Sequence, residues 1–215
     1  QVEGIFVSHE HSDHIAGLQQ LLKRFDIPVY TKQGTWREIQ DKLIVPKNRL
    51  IELTKGSLTL GSLIVEPFSV SHDAADPIGI NVFAGNDKAT IVTDTGVISD
   101  DVLRRIDDTT LLVLEANYDP HMLRFGPYQP FLKQRVASDE GHLSNEMAAQ
   151  ALLMMKRPDF MQVILAHRSE NNNNAVLVTQ TIGKMLVDGG VRIGPEMKLQ
   201  HGQPNEIVSI QSVER

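Results

Sequence analysis

The apolar positions fall into blocks whose period changes along the chain. Ile5, Phe6 and Val7 form a short apolar run that breaks off at Ser8 and His9, which predicts a buried strand in "GIFVSH". Ile15, Leu18, Leu21, Leu22 and Phe25 recur at helical spacing, so a helix is expected that stops before Pro28. The segment "TWREIQDKL" predicts a second helix. Across "SLTLGSLIVEPFSVSH" and "IGINVFAGNDKATIVTD" the period shortens to two, with turn residues at Leu60-Gly61-Ser62 and Gly85-Asn86-Asp87. Antiparallel hairpins are expected there. A short helix around "SDDVLRRID" leads into the apolar strand "TLLVLEAN". "LSNEMAAQALLMMK" predicts a helix with Ser144 as its N-cap and Met154-Met155 as packing residues, and "FMQVILAH" another buried strand. Asn171 to Asn174 read as a polar loop or helix start, a last helix covers Ala175 to Val187, and two short strands are expected after it. No repeat or low-complexity linker interrupts the pattern, so residues 1–215 read as one mixed α/β (α+β) domain.

Composition narrows the class. A hydrophobic share of 41% over 215 residues supports a proper core. No run of eighteen apolar residues is present, so no membrane partner is expected, and no secretory signal is visible at the start. With no cysteine there is no disulfide framework, no thiolate metal site and no cysteine nucleophile. A cytoplasmic protein is the expectation. The chain opens on Gln1 directly before a strand, as a piece of a longer protein would. Its net charge of −6 argues against a broad electrostatic footprint for nucleic acid, although bound divalent cations would reduce that charge.

The chemistry concentrates in "HEHSDH". If the segment is extended, His9, His11 and Asp13 project together, and His14 follows at the turn into the helix. Imidazoles and a carboxylate suit a borderline ion such as zinc or manganese. Ligands this close can feed two adjacent ions, His9 and His11 to one, Asp13 and His14 to the other. The partners each ion lacks stand where later strands run out: His72 after "VEPFSVS", Asp94 after "ATIVT" and His167 after "MQVILA". Strand ends converge on one rim of a sheet, where sites commonly form. Asp94, with two oxygens, is the natural bridge.

"HEHSDH" followed by His72, Asp94 and His167 resembles the metallo-β-lactamase superfamily, whose signature is H-x-H-x-D-H plus a distant His, Asp and His. The resemblance implies a four-layer αββα sandwich with two divalent metal ions at one edge, held by His9, His11, Asp13, His14, His72, Asp94 and His167. Members usually begin with further strands and a short D-x-G segment; those N-terminal strands are missing here, so the first sheet is expected to be short of strands. Fold alone does not select among thioester, lactam and phosphodiester substrates. The segment "LLVLEANYDPHMLRFGPYQPFLKQRVASDEGHLSNE" is similar to the YycJ (WalJ) branch, linked to DNA exonuclease activity, and more distantly to tRNase Z and PhnP phosphodiesterases. Glu115 and His142 stand where tRNase Z-like enzymes carry a Glu supporting a catalytic His. Arg168 stands where a Leu is more usual in this branch.

Asp13, Glu115 and His142 are thus the catalytic candidates. Phosphodiester hydrolysis needs an attacking hydroxide, neutralisation of the phosphate and a proton for the leaving alkoxide. A histidine can give that proton, and an acidic partner keeps it charged. A carboxylate after "TLLVL" is otherwise costly to bury. The function expected is a dinuclear metal-dependent phosphodiester hydrolase, a DNA exonuclease rather than an RNA enzyme. The alternatives are a cyclic-nucleotide or sugar phosphodiesterase, an acyl or thioester hydrolase of the same fold, or a binding domain without turnover. Lys133, Arg135, Arg124 and Arg168 are candidate backbone clamps, and Ser144 and Asn145 candidate phosphate-binding amides. His121 is expected in a loop, and His201 is expected to be unrelated to the site.

Overall fold

A computed structural model describes residues 2–54, 56–203 and 206–210. Among the described residues ten strands form two sheets. The smaller holds β1 (Ile5–Phe6), β2 (Val29–Thr31) and β3 (Leu50–Glu52), all parallel. In the larger sheet the order is β10 (Met197–His201), β9 (Met161–Ala166), β8 (Leu111–Glu115), β7 (Asp87–Val92), β6 (Ile78–Ala84), β5 (Leu63–Ser69) and β4 (Leu58–Leu60). Its β4–β7 half is an antiparallel meander and its β7–β10 half is parallel, so the expected hairpins form.

Alternation along the strands sorts side chains between layers. In β2, Val29 packs with Ile15, Leu18, Leu22 and Ile39 from α1 (Ser12–Ile15), α2 (Leu18–Arg24) and α3 (Gln33–Gln40). Its neighbour Tyr30 faces the other way, stacking on Phe6 at 4.8 Å and joining Val65, Ile78 and Ile80 of the larger sheet. The far face of that sheet buries Leu112, Leu114, Val163 and Leu165 under α4 (Asp100–Ile106), α7 (Asn145–Met154) and α8 (Ala175–Asp188). Helices, sheet, sheet and helices therefore make the four-layer sandwich.

Several local expectations change. The first helix divides at Ala16 and Gly17 into α1 and α2. The second ends at Gln40, not at Leu43. Two short helices that carry no strong period appear, α5 (Pro120–Phe125) and α6 (Pro130–Val136), so His121 is helical rather than in a loop. Each has proline at its start, where the missing N–H costs nothing. Of the two C-terminal strands expected, β10 forms with an isolated bridge from Ile193; residues 206–210 are not in a strand, and 211–215 lie outside the described residues. Met155 is buried, but Met154 is exposed and packs against nothing central.

Candidate active site

Every expected ligand comes to one rim of the two sheets. His9 to His14 follow β1, and Ser8 ties this loop to the larger sheet by accepting from Ile78 N at 3.2 Å. The extended alternation expected for His9, His11 and Asp13 does not hold through the segment. His11 is the N-cap residue of α1, with φ −64° and ψ 149°, and Asp13 lies in that helix's first turn. The turn swings Asp13 and His14 away from His9 and His11 while keeping all four at the rim. The buried Glu10 fixes the loop by accepting from Ala75 N at 2.8 Å.

Two groups of three then face one another. His9, His11 and His72 offer nitrogens within 4.8 Å of each other, as do the ligand atoms of Asp13, His14 and His167. Asp94 stands between: its Oδ2 is 3.3 Å from His14 Nε2, and its Oδ1 is 3.4 Å from His167 Nε2 and 3.7 Å from His72 Nε2. Buried His9 Nε2 and Asp94 Oδ2 have no hydrogen-bond partner. Such atoms are costly without one. A cation among these donors would supply it, so the residues present fit divalent metal.

The imidazoles are arranged to present their lone pairs. Burial, together with the nearby His14, His72 and His11 rings, pushes His9 down to about 3. Ser8 Oγ lies 3.1 Å from His9 Nδ1 and 3.3 Å from His14 Nδ1, positioning two rings with one hydroxyl. His72 Nδ1 faces the carbonyls of Glu140 (3.1 Å) and Gly141 (3.0 Å), which can only accept, so its Nε2 carries the free lone pair toward the site. Asp94 and His167 both adopt left-handed backbone, φ 55° and 51°, unusual for residues other than glycine. Asn117 Nδ2 holds the His167 carbonyl at 2.8 Å.

Glu115 is fully buried at the end of β8, and four donors surround it. Oε2 accepts from Thr95 N at 3.3 Å and Leu143 N at 3.1 Å; Oε1 is 2.8 Å from His142 Nδ1 and 2.7 Å from His167 Nδ1. Burial alone would raise its pKa; hydrogen bonds from the two histidines outweigh it and hold the carboxyl below the usual range. In His167 burial opposes the charge, but Glu115, Asp94 and Asp13 outweigh it and push the ring up to about 9. Glu115 thus serves both the candidate acid and a candidate ligand, where only His142 was expected as its partner. The loops around it touch backbone to backbone: a Cβ on Gly96 would lie 2.2 Å from Ser138 O, and one on Gly141 2.2 Å from Arg135 O.

The remaining candidates divide. Arg135 pairs with Asp73, a residue the sequence reading passed over, whose Oδ1 lies 3.5 Å from His72 Nε2. Lys133 donates to the Arg124 carbonyl at 2.8 Å, and Arg124 stacks over Phe125. Ser144 caps α7 by accepting from Met147 N, and the Asn145 amide donates to the Tyr118 carbonyl at 3.0 Å, so that amide is not free for phosphate. His201 bonds to Thr179 on the edge of the sheet, apart from these groups.

Residues 1–167 match the model of the beta-lactamase superfamily domain. Over 214 residues the chain is 36% identical to the exodeoxyribonuclease YycJ of Bacillus anthracis, covering 99% of this chain and 81% of that protein. It is 31% identical over 209 residues to the exodeoxyribonuclease WalJ of Streptococcus pneumoniae, covering 95% and 77% respectively. A solved diphosphatase of the PhnP family aligns with a TM-score of 0.64 at 16% identity, over 94% of this chain and 68% of that one, a likeness of fold alone. The fold implies divalent metal ions, and the His and Asp groups at the rim are candidates to hold them. A superfamily domain matched over most of this chain, and likeness over nearly all of it to two exodeoxyribonucleases, make this chain a hydrolase of the metallo-β-lactamase superfamily, homologous to the YycJ and WalJ enzymes.

Proposed function

We propose that the chain hydrolyses phosphodiester bonds in nucleic acid, DNA in preference to RNA, as an exonuclease working with two zinc or manganese ions. The relatives named exodeoxyribonucleases support the substrate. The observation that carries the reaction type is the buried Glu115 carboxylate held 2.8 Å from His142 Nδ1. A thioester's leaving thiolate departs without a proton and has little use for such a pair. A phosphodiester's leaving alkoxide needs a proton.

His9, His11 and His72 would hold one ion, Asp13, His14 and His167 the other, with Asp94 between them. When bound, the ions supply Lewis-acid activation of water and neutralise the phosphate. Because Glu115 accepts the Nδ1 proton of His142, the proton His142 transfers is the one on Nε2. Asp13, with its side chain about two-thirds exposed (65%), would accept a hydrogen bond from the attacking water at the open side of the site. We read residues 1–215 as one domain acting in the cytoplasm; among the described residues no helix is long and apolar enough to cross a membrane. The net charge of −6 favours a second reading, a small phosphodiester such as a cyclic nucleotide or sugar phosphate.

A substrate panel with defined zinc or manganese loading tests this. Cleavage of DNA and of bis(p-nitrophenyl) phosphate is expected, with little action on β-lactams or thioesters, and salt should weaken DNA cleavage more than ester cleavage. Efficient thioester hydrolysis beside inert phosphodiesters would replace the proposal with the acyl-hydrolase reading.

A further inference from the structure

A cavity of about 880 Å³ opens beside the site, and its lining is one-sided. His142 and His167 form part of it, whereas His9, His11, Asp13, His14 and Asp94 do not. The far wall is Tyr128 and the Leu132 and Arg135 face of α6; Arg168 closes it from the loop after β9. Arg168 is itself half-buried, with its Nη1 enclosed and without a hydrogen-bond partner.

The wall itself has an unusual composition. Residues 120–138 carry Arg124, Lys133 and Arg135 and no carboxylate, in a chain whose net charge is −6; Arg135 is paired with Asp73, which with Glu170 supplies the cavity's own carboxylates. Phe125 and Phe131, in α5 and α6, are 67% and 71% exposed, although Arg124 and His121 lie against the Phe125 ring. Aromatic faces interleaved with cations bind single-stranded nucleic acid, since bases stack and phosphates pair without sequence readout. A cavity of this volume admits roughly one or two nucleotides and no duplex.

Resting on the phosphodiesterase reading, we propose that this cavity seats the leaving side of a single DNA strand. A general acid must stand at the leaving oxygen, and the attacking water must approach from the opposite side, so the space next to His142 belongs to the leaving strand. Tyr128 takes a base, the accessible part of the Arg168 guanidinium takes a phosphate, and the strand continues over Phe125 and Phe131.

The experiment uses the full, metal-loaded chain and measures kcat/KM for a labelled single-stranded oligonucleotide through a KCl series, with bis(p-nitrophenyl) phosphate in parallel. Tyr128→Ala should lower kcat/KM on DNA about tenfold, mainly through KM, and Tyr128→Phe should restore it, because the ring does the stacking. Arg168→Leu should flatten the plot of log(kcat/KM) against log salt by about 0.7, the contribution of one single-strand phosphate contact. Phe125→Ser/Phe131→Ser should erase at least about fivefold of the preference for a long oligonucleotide over a dinucleotide. In each case the loss on DNA should exceed the loss on the ester. Equal losses on both substrates, or folded variants with unchanged DNA kinetics and salt slope, would overturn the cavity's role. So would a dimer that the phenylalanine variant converts to monomer while DNA cleavage stays intact, which gives that face to a second copy. A parent chain that cleaves the ester but not DNA removes this proposal alone; one that cleaves neither removes the phosphodiesterase reading with it.

Discussion

The candidate ligand cradle and the α5–α6 wall meet at His142 but are built by opposite means. The cradle hangs on strand ends and buried carboxylates, with His9, His72, Asp94 and Glu115 almost wholly enclosed. The wall is two short proline-started helices with exposed phenylalanines, tied to the rim by the Arg135–Asp73 ion pair and packed on a small satellite cluster of Tyr118, Leu123 and Val136. Precise chemistry needs atoms fixed to a fraction of an ångström, which a rigid sheet edge supplies. Selecting a substrate needs only a surface of suitable shape and charge, which a short insertion can supply and alter cheaply. Damage to the cradle should therefore cost the whole reaction, and damage to the wall only some substrates.

The contrast breaks most sharply at Asp94. Asp94→Ala should lower metal content at both positions and abolish activity on every substrate; metal analysis showing two full equivalents with normal turnover would end the bridging assignment. His142→Ala comes next. It should retain its metal and lose about 10²–10⁴-fold in rate on DNA, while the p-nitrophenyl ester, whose leaving group scarcely needs a proton, is partly spared. Equal loss on both leaving groups, or loss of metal, would show that His142 is not the acid. Glu115→Gln sharpens the comparison, because Oε1 faces both His142 and His167. Its effect should be about 10–100-fold, and it should reduce metal affinity as well as rate, which His142→Ala should not.

A smaller effect is a pH dependence of metal uptake. His167 is raised to about 9, so at neutral pH a cation must displace its proton; His9, lowered to about 3, holds none. Affinity should therefore rise by up to about tenfold per pH unit from neutrality toward 9 and level off above it, with about one proton released per chain in calorimetry at pH 7. Uptake independent of pH over that window would remove His167 from the ligand set. Smallest of all, Ser144→Ala should remove the α7 cap and cost about 1 kcal/mol in denaturant unfolding, with metal content unchanged.

The cradle was legible in the sequence because its residues sit at places the chain marks clearly. Apolar strands end abruptly, and His72, Asp94 and His167 stand just past those ends, one to three residues beyond β5, β7 and β9. What alternation could not convey was the turn at Ser12, where the backbone leaves the extended form and puts Asp13 in a helix. The double duty of Glu115 was hidden as well, since His142 and His167 lie 27 and 52 positions away, the first brought in by the loop before α7 and the second by the pairing of β8 with β9. In α5 and α6 the helices are too short for a period to accumulate. Asp119-Pro120 and Gln129-Pro130, a flanking residue followed by proline at the first helical position, were their available signals. Arg135 and Asp73 are 62 residues apart, and no local pattern links them.

The left-handed backbone at Asp94 and His167 bears on how the gene can vary. At φ near 50° most side chains crowd the backbone, β-branched ones worst, whereas asparagine and glycine fit with little penalty. A saturation library sorted only for protein abundance should therefore already be depleted of valine, isoleucine and threonine at these two codons, with asparagine and glycine enriched. Sorting the same library for catalysis should then discard asparagine and glycine too. The gap between the two selections, codon by codon, separates what the chain's conformation forbids from what its chemistry requires.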